Sequence, residues 1–245
     1  MEHIWSFFAF PLNLLLAILW TAGLCWLWKE RRYSRIVRFL LSPAATISAL
    51  ALLIVSCLWI GLSGMRDFVQ SILFVCILIY VQAVVLMVAL RGWRRADGVI
   101  RWRFLLIHAG LLIAIGAGFW GAPDVSELRV RMVRGDVAET AFRMDGSVTG
   151  LGYTLELESY LTELSEDGKP SYYEAVVSVN GDEPAKITVN HPYSVRFGED
   201  IYLSGVSEGY CILQIVREPW RYVTLAGIIM LLAGAFLLFI KGPRK

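Results

Sequence analysis

The chain has 245 residues, of which 57% are hydrophobic and only 18% are charged, and its net charge is +2. Soluble domains usually carry about 25% charged residues, so this composition indicates a membrane protein. The basic residues cluster beside apolar segments rather than across a folded face, which argues against nucleic-acid binding. The sequence lacks the signatures of nucleotide-binding loops, serine hydrolases and zinc proteases, so we expect no enzymatic activity from this chain alone.

Five segments are long and apolar enough to cross a bilayer, for which about 20 residues are needed. In chain order, these predicted spans are Phe7–Trp28, Leu40–Leu62, Val69–Leu90, Phe104–Trp120 and Tyr222–Ile240. The sequence therefore predicts a four-span transmembrane region over residues 1–120 and a polar domain over residues 121–221. Residues 222–245 would form a final transmembrane helix and a short tail.

Basic residues mark alternate ends of the predicted spans. They follow the first span at Lys29–Arg38, fill the loop Arg91–Arg103, and close the chain at Lys241–Lys245. The positive-inside rule therefore predicts that the N-terminus and residues 121–221 lie outside and that the C-terminus lies inside. The first basic cluster follows its apolar run instead of preceding it, so we expect a retained anchor rather than a cleaved signal peptide.

Residues 121–221 have the pattern of β-structure. Segments such as Leu128–Arg134 and Tyr153–Leu161 alternate apolar and polar residues, and Asn180-Gly181 is a strong hairpin signal. Seven or eight short strands, separated by turns, predict an antiparallel sandwich or a partly open barrel. Cys211 is the only cysteine of this region, so we expect the domain to fold without an internal disulfide.

His108 is the only Asp, Glu, Lys, Arg or His in the middle of a predicted span. An ionisable side chain in hydrocarbon costs a few kcal/mol, and such residues usually face a partner, a cavity or a cofactor. A neutral imidazole also suits transition metals, including haem iron. The alternative is a structural histidine that is hydrogen-bonded to a backbone carbonyl or to a neighbouring helix. Its position alone leaves both interpretations open.

The span of His108 has two predicted faces. Gly110, Ala114 and Gly118 recur every four residues, which favours close approach of another helix. His108 points away from this stripe, on the side of Leu111, Leu112 and Ile115. Arg101 lies seven residues before His108 and therefore almost in line with it on the same helix face.

The C-terminal part of the chain combines a histidine early in a glycine-rich span, three short motifs of the polar domain, and a motif directly before the last span. These segments are Arg103–Trp120, Asp167–Tyr172, Thr188–Tyr193, Phe197–Tyr202 and Val216–Pro219. In these segments the chain resembles the ResB family of cytochrome c biogenesis proteins. The chain is short for that family, and its first spans are divergent.

The resemblance implies a haem-handling subunit of a System II cytochrome c maturation complex in the bacterial cytoplasmic membrane. Such a subunit works with a CcsA-type cytochrome c synthase partner to deliver haem to apocytochrome c outside the membrane. His108 would then be the metal ligand of a non-covalent haem b in transit, within membrane lipid. Arg101 and Arg103 are the candidates to contact the haem propionates, although their cluster also serves as a topology determinant. The alternative function is a non-catalytic membrane scaffold or assembly factor that binds a partner through its outer β-domain.

Overall fold

The computed structural model describes residues 8–64, 66–164, 170–207 and 209–241. The chain divides into two compact units, a membrane unit of residues 1–123 and 220–245 and a β-domain of residues 124–219. The predicted boundaries at residues 121 and 221 therefore lie within a few residues of those in the structure. His3 and residues 167–169 of the predicted Asp167–Tyr172 motif lie outside the described residues.

The membrane unit is helical. Its α-helices are α1 (Leu12–Glu30), α2 (Arg35–Leu40), α3 (Pro43–Ser63), α4 (Ile72–Gly92), α5 (Trp102–Gly121) and α6 (Arg221–Lys241). Within the described residues, all of them except the short α2 are long and apolar enough to cross a membrane. The prediction of a multi-pass membrane protein with five spans is confirmed.

Serine N-caps determine where helices α3 and α4 begin, which the apolar pattern of the sequence did not show. The predicted second span began at Leu40, but this residue ends the separate helix α2, and α3 begins only at Pro43. The Ser42 hydroxyl accepts a hydrogen bond from the Ala45 N–H, and proline is well suited to the first helical position. Ser71 caps α4 in the same way through the Phe74 N–H.

Helices α5 and α6 pack at backbone distance. A Cβ atom added to Gly110 would lie 2.6 Å from the Gly227 carbonyl oxygen, and one added to Gly227 would lie 2.5 Å from the Ala114 backbone nitrogen. The predicted small-residue stripe is therefore confirmed at Gly110 and Ala114. At Gly118 the prediction was wrong, because an added Cβ would meet no atom within 4 Å.

The β-domain consists of one antiparallel sheet in the order β5-β4-β3-β2-β1-β8-β7-β6. Its strands are β1 (Ser126–Met132), β2 (Val137–Arg143), β3 (Val148–Leu164), β4 (Pro170–Val179), β5 (Ala185–Thr188), β6 (Tyr193–Arg196), β7 (Glu199–Ser207) and β8 (Tyr210–Arg217). The edge strands β5 and β6 contact each other, and β7 also contacts β3, β4 and β5. The sheet thus curls around one core, as predicted for a sandwich or partly open barrel.

The core of the β-domain is formed by alternate residues of the strands. Leu128, Leu155, Leu213 and Ile215 are fully buried there, and so is Cys211. Burial raises the pKa of the Cys211 thiol to about 11, which fits its predicted role as a small buried apolar residue. Apolar burial, together with the strand ladder, thus accounts for the fold of this unit.

The sequence pattern missed strand β2. Only Ala141 of this strand is fully buried, so the alternation that identifies a half-buried strand is missing from its sequence.

The Asn180-Gly181 turn is confirmed, because both residues have positive φ angles of 54° and 76°, as a type I′ turn requires.

Candidate functional site

His108 is held by the backbone of its own helix. Its Nδ1 atom lies 2.9 Å from the Phe104 carbonyl oxygen, one turn earlier in α5. A carbonyl can only accept, so Nδ1 carries the proton and donates it. In the neutral imidazole, a proton on Nδ1 leaves Nε2 with a free lone pair, which is the form that binds a metal. The same contact would also satisfy a purely structural histidine, so geometry at this ring alone does not separate the two interpretations.

A cavity of about 900 Å³ opens beside His108 at the N-terminal end of α5. Its wall includes Ile107, Leu237 and Leu238 as apolar side chains and Arg94, Arg95, Arg101 and Arg103 as basic ones. The predicted site residues His108, Arg101 and Arg103 thus line one cavity. Leu112 and Ile115, which were predicted to lie on the same face as His108, do not line this cavity. They pack against the helical core instead.

A tight turn brings the arginines to this cavity. Arg94 and Ile100 form a β-bridge, and the Asp97 carboxylate accepts a hydrogen bond of 3.1 Å from the Val99 N–H. Gly98 has a φ of 82°, which a residue with a side chain rarely adopts. The turn folds the chain back onto the end of α4, where the Arg101 Nη1 atom lies 3.4 Å from the Gly92 carbonyl oxygen.

The residues of this cavity fit a haem. The volume lies within the range of about 300–1,000 Å³ that is usual for small-molecule and cofactor pockets. One imidazole nitrogen suits iron, aliphatic side chains suit a porphyrin face, and guanidinium groups bind carboxylates such as propionates. Among the described residues there is no group of three or more His, Cys, Asp or Glu side chains that could hold a metal ion alone. A metal ion bound at His108 would therefore need further donor atoms from a group that it brings with it, such as the nitrogens of a porphyrin.

The family motifs of the β-domain meet at a second, different cluster. The Glu199 carboxylate is 2% exposed and accepts hydrogen bonds from Arg196, Arg217 and Tyr153 at 2.7 to 2.9 Å. Arg217 also donates to the Leu151 carbonyl at 3.0 Å. We name these four side chains, Glu199, Arg196, Arg217 and Tyr153, the Glu199 cluster. Its acceptors and donors are paired inside the domain, so its role is to hold strands together.

Gly198 completes this arrangement next to the Glu199 cluster. It has a φ of 74°, and a Cβ at this position would lie 2.6 Å from the Cα of Pro219. Its carbonyl accepts a hydrogen bond of 2.6 Å from the Glu218 N–H. The Phe197–Tyr202 and Val216–Pro219 motifs are thus spatial neighbours that fix the end of β8.

The remaining predicted polar positions have structural roles. His191 is exposed in the turn after β5, where its backbone exchanges hydrogen bonds with Thr188. Asn13 and Gln82 form hydrogen bonds between helices. Asn13 donates to the Trp120 carbonyl at 2.8 Å, and the Trp120 indole donates to Gln82 at 3.1 Å. The indole N–H of Trp120 is thus engaged inside the helical unit.

No curated protein matches this chain. A solved structure titled "Cytochrome c Heme Lyase CcmF" is similar with a TM-score of 0.40 and 12% sequence identity over 93% of this chain. This chain spans 45% of the length of that one.

The model of the ResB-like family matches residues 95–212. This range includes Arg101, Arg103, His108 and Glu199, whereas the Val216–Pro219 motif and α6 lie beyond it. The predicted resemblance, which ran on to the last span, is therefore confirmed over a shorter stretch. Over residues 95–212 the chain is similar to the ResB-like family.

Proposed function

We propose that this protein is a haem-handling subunit of a System II cytochrome c maturation complex, with His108 as its transmembrane haem ligand. The similarity of residues 95–212 to the ResB-like family supports a role in cytochrome c biogenesis. The observation that carries the finer proposal is the His108 imidazole, bonded to its own helix through Nδ1, in the wall of a cavity that four arginines also line. The iron of a non-covalent haem b would bind Nε2, and Arg101 and Arg103 would pair with its propionates.

His108 would supply one nitrogen donor to the haem iron, and any further donor would have to come from another residue. No other histidine lies near His108 in sequence, since the chain has only His3, His108 and His191. We therefore propose that a CcsA-type partner supplies the second ligand and that the two subunits pass haem to apocytochrome c together. The single nitrogen donor is the reason to assign attachment chemistry to the complex and not to this chain alone.

The orientation that goes with this role places the N-terminus and the β-domain outside the bacterial cytoplasmic membrane and the C-terminus inside. The support is the positive-inside distribution, with the arginine turn before α5 on the inner side. Reporter fusions after Asn180 and after Lys245 should then give opposite signals. Equal signals would contradict the arrangement.

The decisive experiment is replacement of His108 in the full chain that is expressed with its partner. His108→Ala should remove most co-purified haem and most cytochrome c maturation while protein level is kept, because the iron loses its ligand. His108→Gly should regain haem when imidazole is added, since imidazole restores a nitrogen donor in the vacated space. His191→Ala is the matched control, because its exposed turn is not part of the cavity.

The scaffold alternative predicts a different outcome. A structural histidine bonded to Phe104 would be replaceable without effect on haem content. Full haem and full maturation in His108→Ala would therefore exclude the haem-ligand role and favour a non-catalytic assembly factor.

A further inference from the structure

Phe104 contacts His108 in two independent ways. Its carbonyl oxygen accepts the Nδ1 proton at 2.9 Å, and its ring stacks on the imidazole with centroids 3.9 Å apart and planes 25° apart. The first contact fixes which nitrogen is protonated, and the second fixes the plane of the ring. Both follow from the spacing of four residues, which puts the two side chains on one face of α5.

Phe104 is itself held from its other sides. The Arg101 guanidinium lies 4.9 Å from the centre of the phenyl ring, within the range of cation–π contacts. The ring also lies against the bare backbone of Gly92 at the end of α4, where an added Cβ would overlap the far end of the ring. Gly92 therefore provides the space that lets the phenyl ring lie over the imidazole.

We propose that Phe104 is a positioning residue that sets the plane and tautomer of the His108 imidazole, and that Gly92 is the position that admits it. The inference rests on the proposed function, because it assigns the orientation of the nitrogen that would bind iron. It goes beyond that function by naming two residues that position the imidazole, of which Phe104 also lines the cavity and Gly92 does not. It also explains why Arg101 is placed one turn before Phe104, since the guanidinium then reaches both the ring and the cavity.

The first test does not need haem. The chain has three histidines, so isotope-labelled histidine in the detergent-solubilised full chain gives three ring signals that His108→Gln assigns. In the native protein, the His108 ring protons should be shifted upfield by the phenyl ring, and Nδ1 should be the protonated nitrogen. Phe104→Leu keeps the carbonyl and removes the aromatic ring, so the upfield shift should disappear while the tautomer is kept. Unchanged ring-proton shifts in Phe104→Leu would overturn the proposal.

The second test uses haem and a compensating pair. Haem affinity should fall roughly three- to tenfold in Phe104→Leu, the range that aromatic stacking supplies, and the electron paramagnetic resonance signal of ferric haem should shift. Gly92→Ala should give the same shift, because its methyl group displaces the phenyl ring. The double variant Gly92→Ala/Phe104→Leu should be no worse than Phe104→Leu, since the shorter side chain does not reach the methyl group. Phe119→Leu, near the other end of α5, is the matched control.

The outcomes separate the two proposals. Loss of haem in His108→Ala, with native affinity and a native resonance signal in Phe104→Leu and Gly92→Ala, would overturn the positioning role alone. Retention of haem in His108→Ala would overturn the ligand role, and the ring-proton shifts would still decide whether Phe104 orients the imidazole.

Discussion

In the β-domain, the buried Glu199 carboxylate is surrounded by donors, whereas in the membrane unit His108 uses only one of its two ring nitrogens. Three side chains donate to Glu199, and one of these donors, Arg217, is held further by a backbone carbonyl. Among the described residues, the hydrogen bond of His108 joins its Nδ1 atom to the Phe104 carbonyl of its own helix. A buried polar group whose bonding capacity is used up stabilises the fold, while one with an unused atom beside a cavity can bind a ligand. This difference separates the structural motif from the candidate site.

The largest expected effect comes from breaking the Glu199 cluster. Arg217→Met should lower the free energy of unfolding of the β-domain by about 3 kcal/mol, because a buried carboxylate loses a partner while Arg196 still neutralises part of its charge. Denaturant titration with hydrogen exchange of β7 and β8 would measure the loss. Lys186→Met, which breaks the exposed pair with Glu174, is the control and should change little. Equal losses of unfolding free energy in the two variants would show that the Glu199 cluster stabilises the domain no more than an exposed ion pair does.

An intermediate effect is expected at the contact between α5 and α6. Gly110→Val places two methyl groups against the Gly227 carbonyl and the Leu231 backbone, and should destabilise the membrane unit by about 1–3 kcal/mol. The detergent fraction at which half of the protein unfolds is the measurement. Gly118→Val, eight residues further along the same helix, is the control because its side chain would enter open space. A similar shift of the half-unfolding point in both variants would mean that the change in helix propensity, and not the close packing of α5 against α6, causes the loss of stability.

The smallest effect is a pH dependence of the Glu199 cluster. Burial, together with the hydrogen bond to Glu199, raises the pKa of Tyr153 above its ordinary value of 10. The folded β-domain therefore holds this proton more tightly than the unfolded chain does. Its contribution to stability is complete below about pH 10 and is lost as the pH rises further. Tyr153→Phe should reduce the alkaline loss of stability in a pH series of denaturant titrations, and an unchanged slope would contradict the assignment.

The sequence was sufficient for those features that depend on composition and short-range pattern. Five spans, a β-domain and the turn at Asn180-Gly181 follow from apolar length, alternation and the need for positive φ angles. Arg101 and His108 are seven residues apart, close to two whole helical turns, so both were expected on one face, and both line the cavity.

Features that depend on contacts between distant segments were not visible. The phenyl ring of Phe104 could have been noticed as an aromatic residue four positions before the histidine, but the space for it is made by Gly92 of another helix. Strand β2 was missed because its neighbours in the sheet, and not its own apolar residues, hold it in place. The Glu199 cluster joins residues from β3, β6, β7 and β8, which no local spacing connects.

The wall of the His108 cavity has a consequence for biosynthesis. Leu237 and Leu238 belong to α6, which is separated from α5 by the whole β-domain. His108 is therefore synthesised about 130 residues before the last part of its cavity. A nascent or truncated chain that ends before α6 has the histidine but an incomplete apolar enclosure around it. The haem that we propose as the ligand of His108 would therefore find a complete cavity only after α6 has been made.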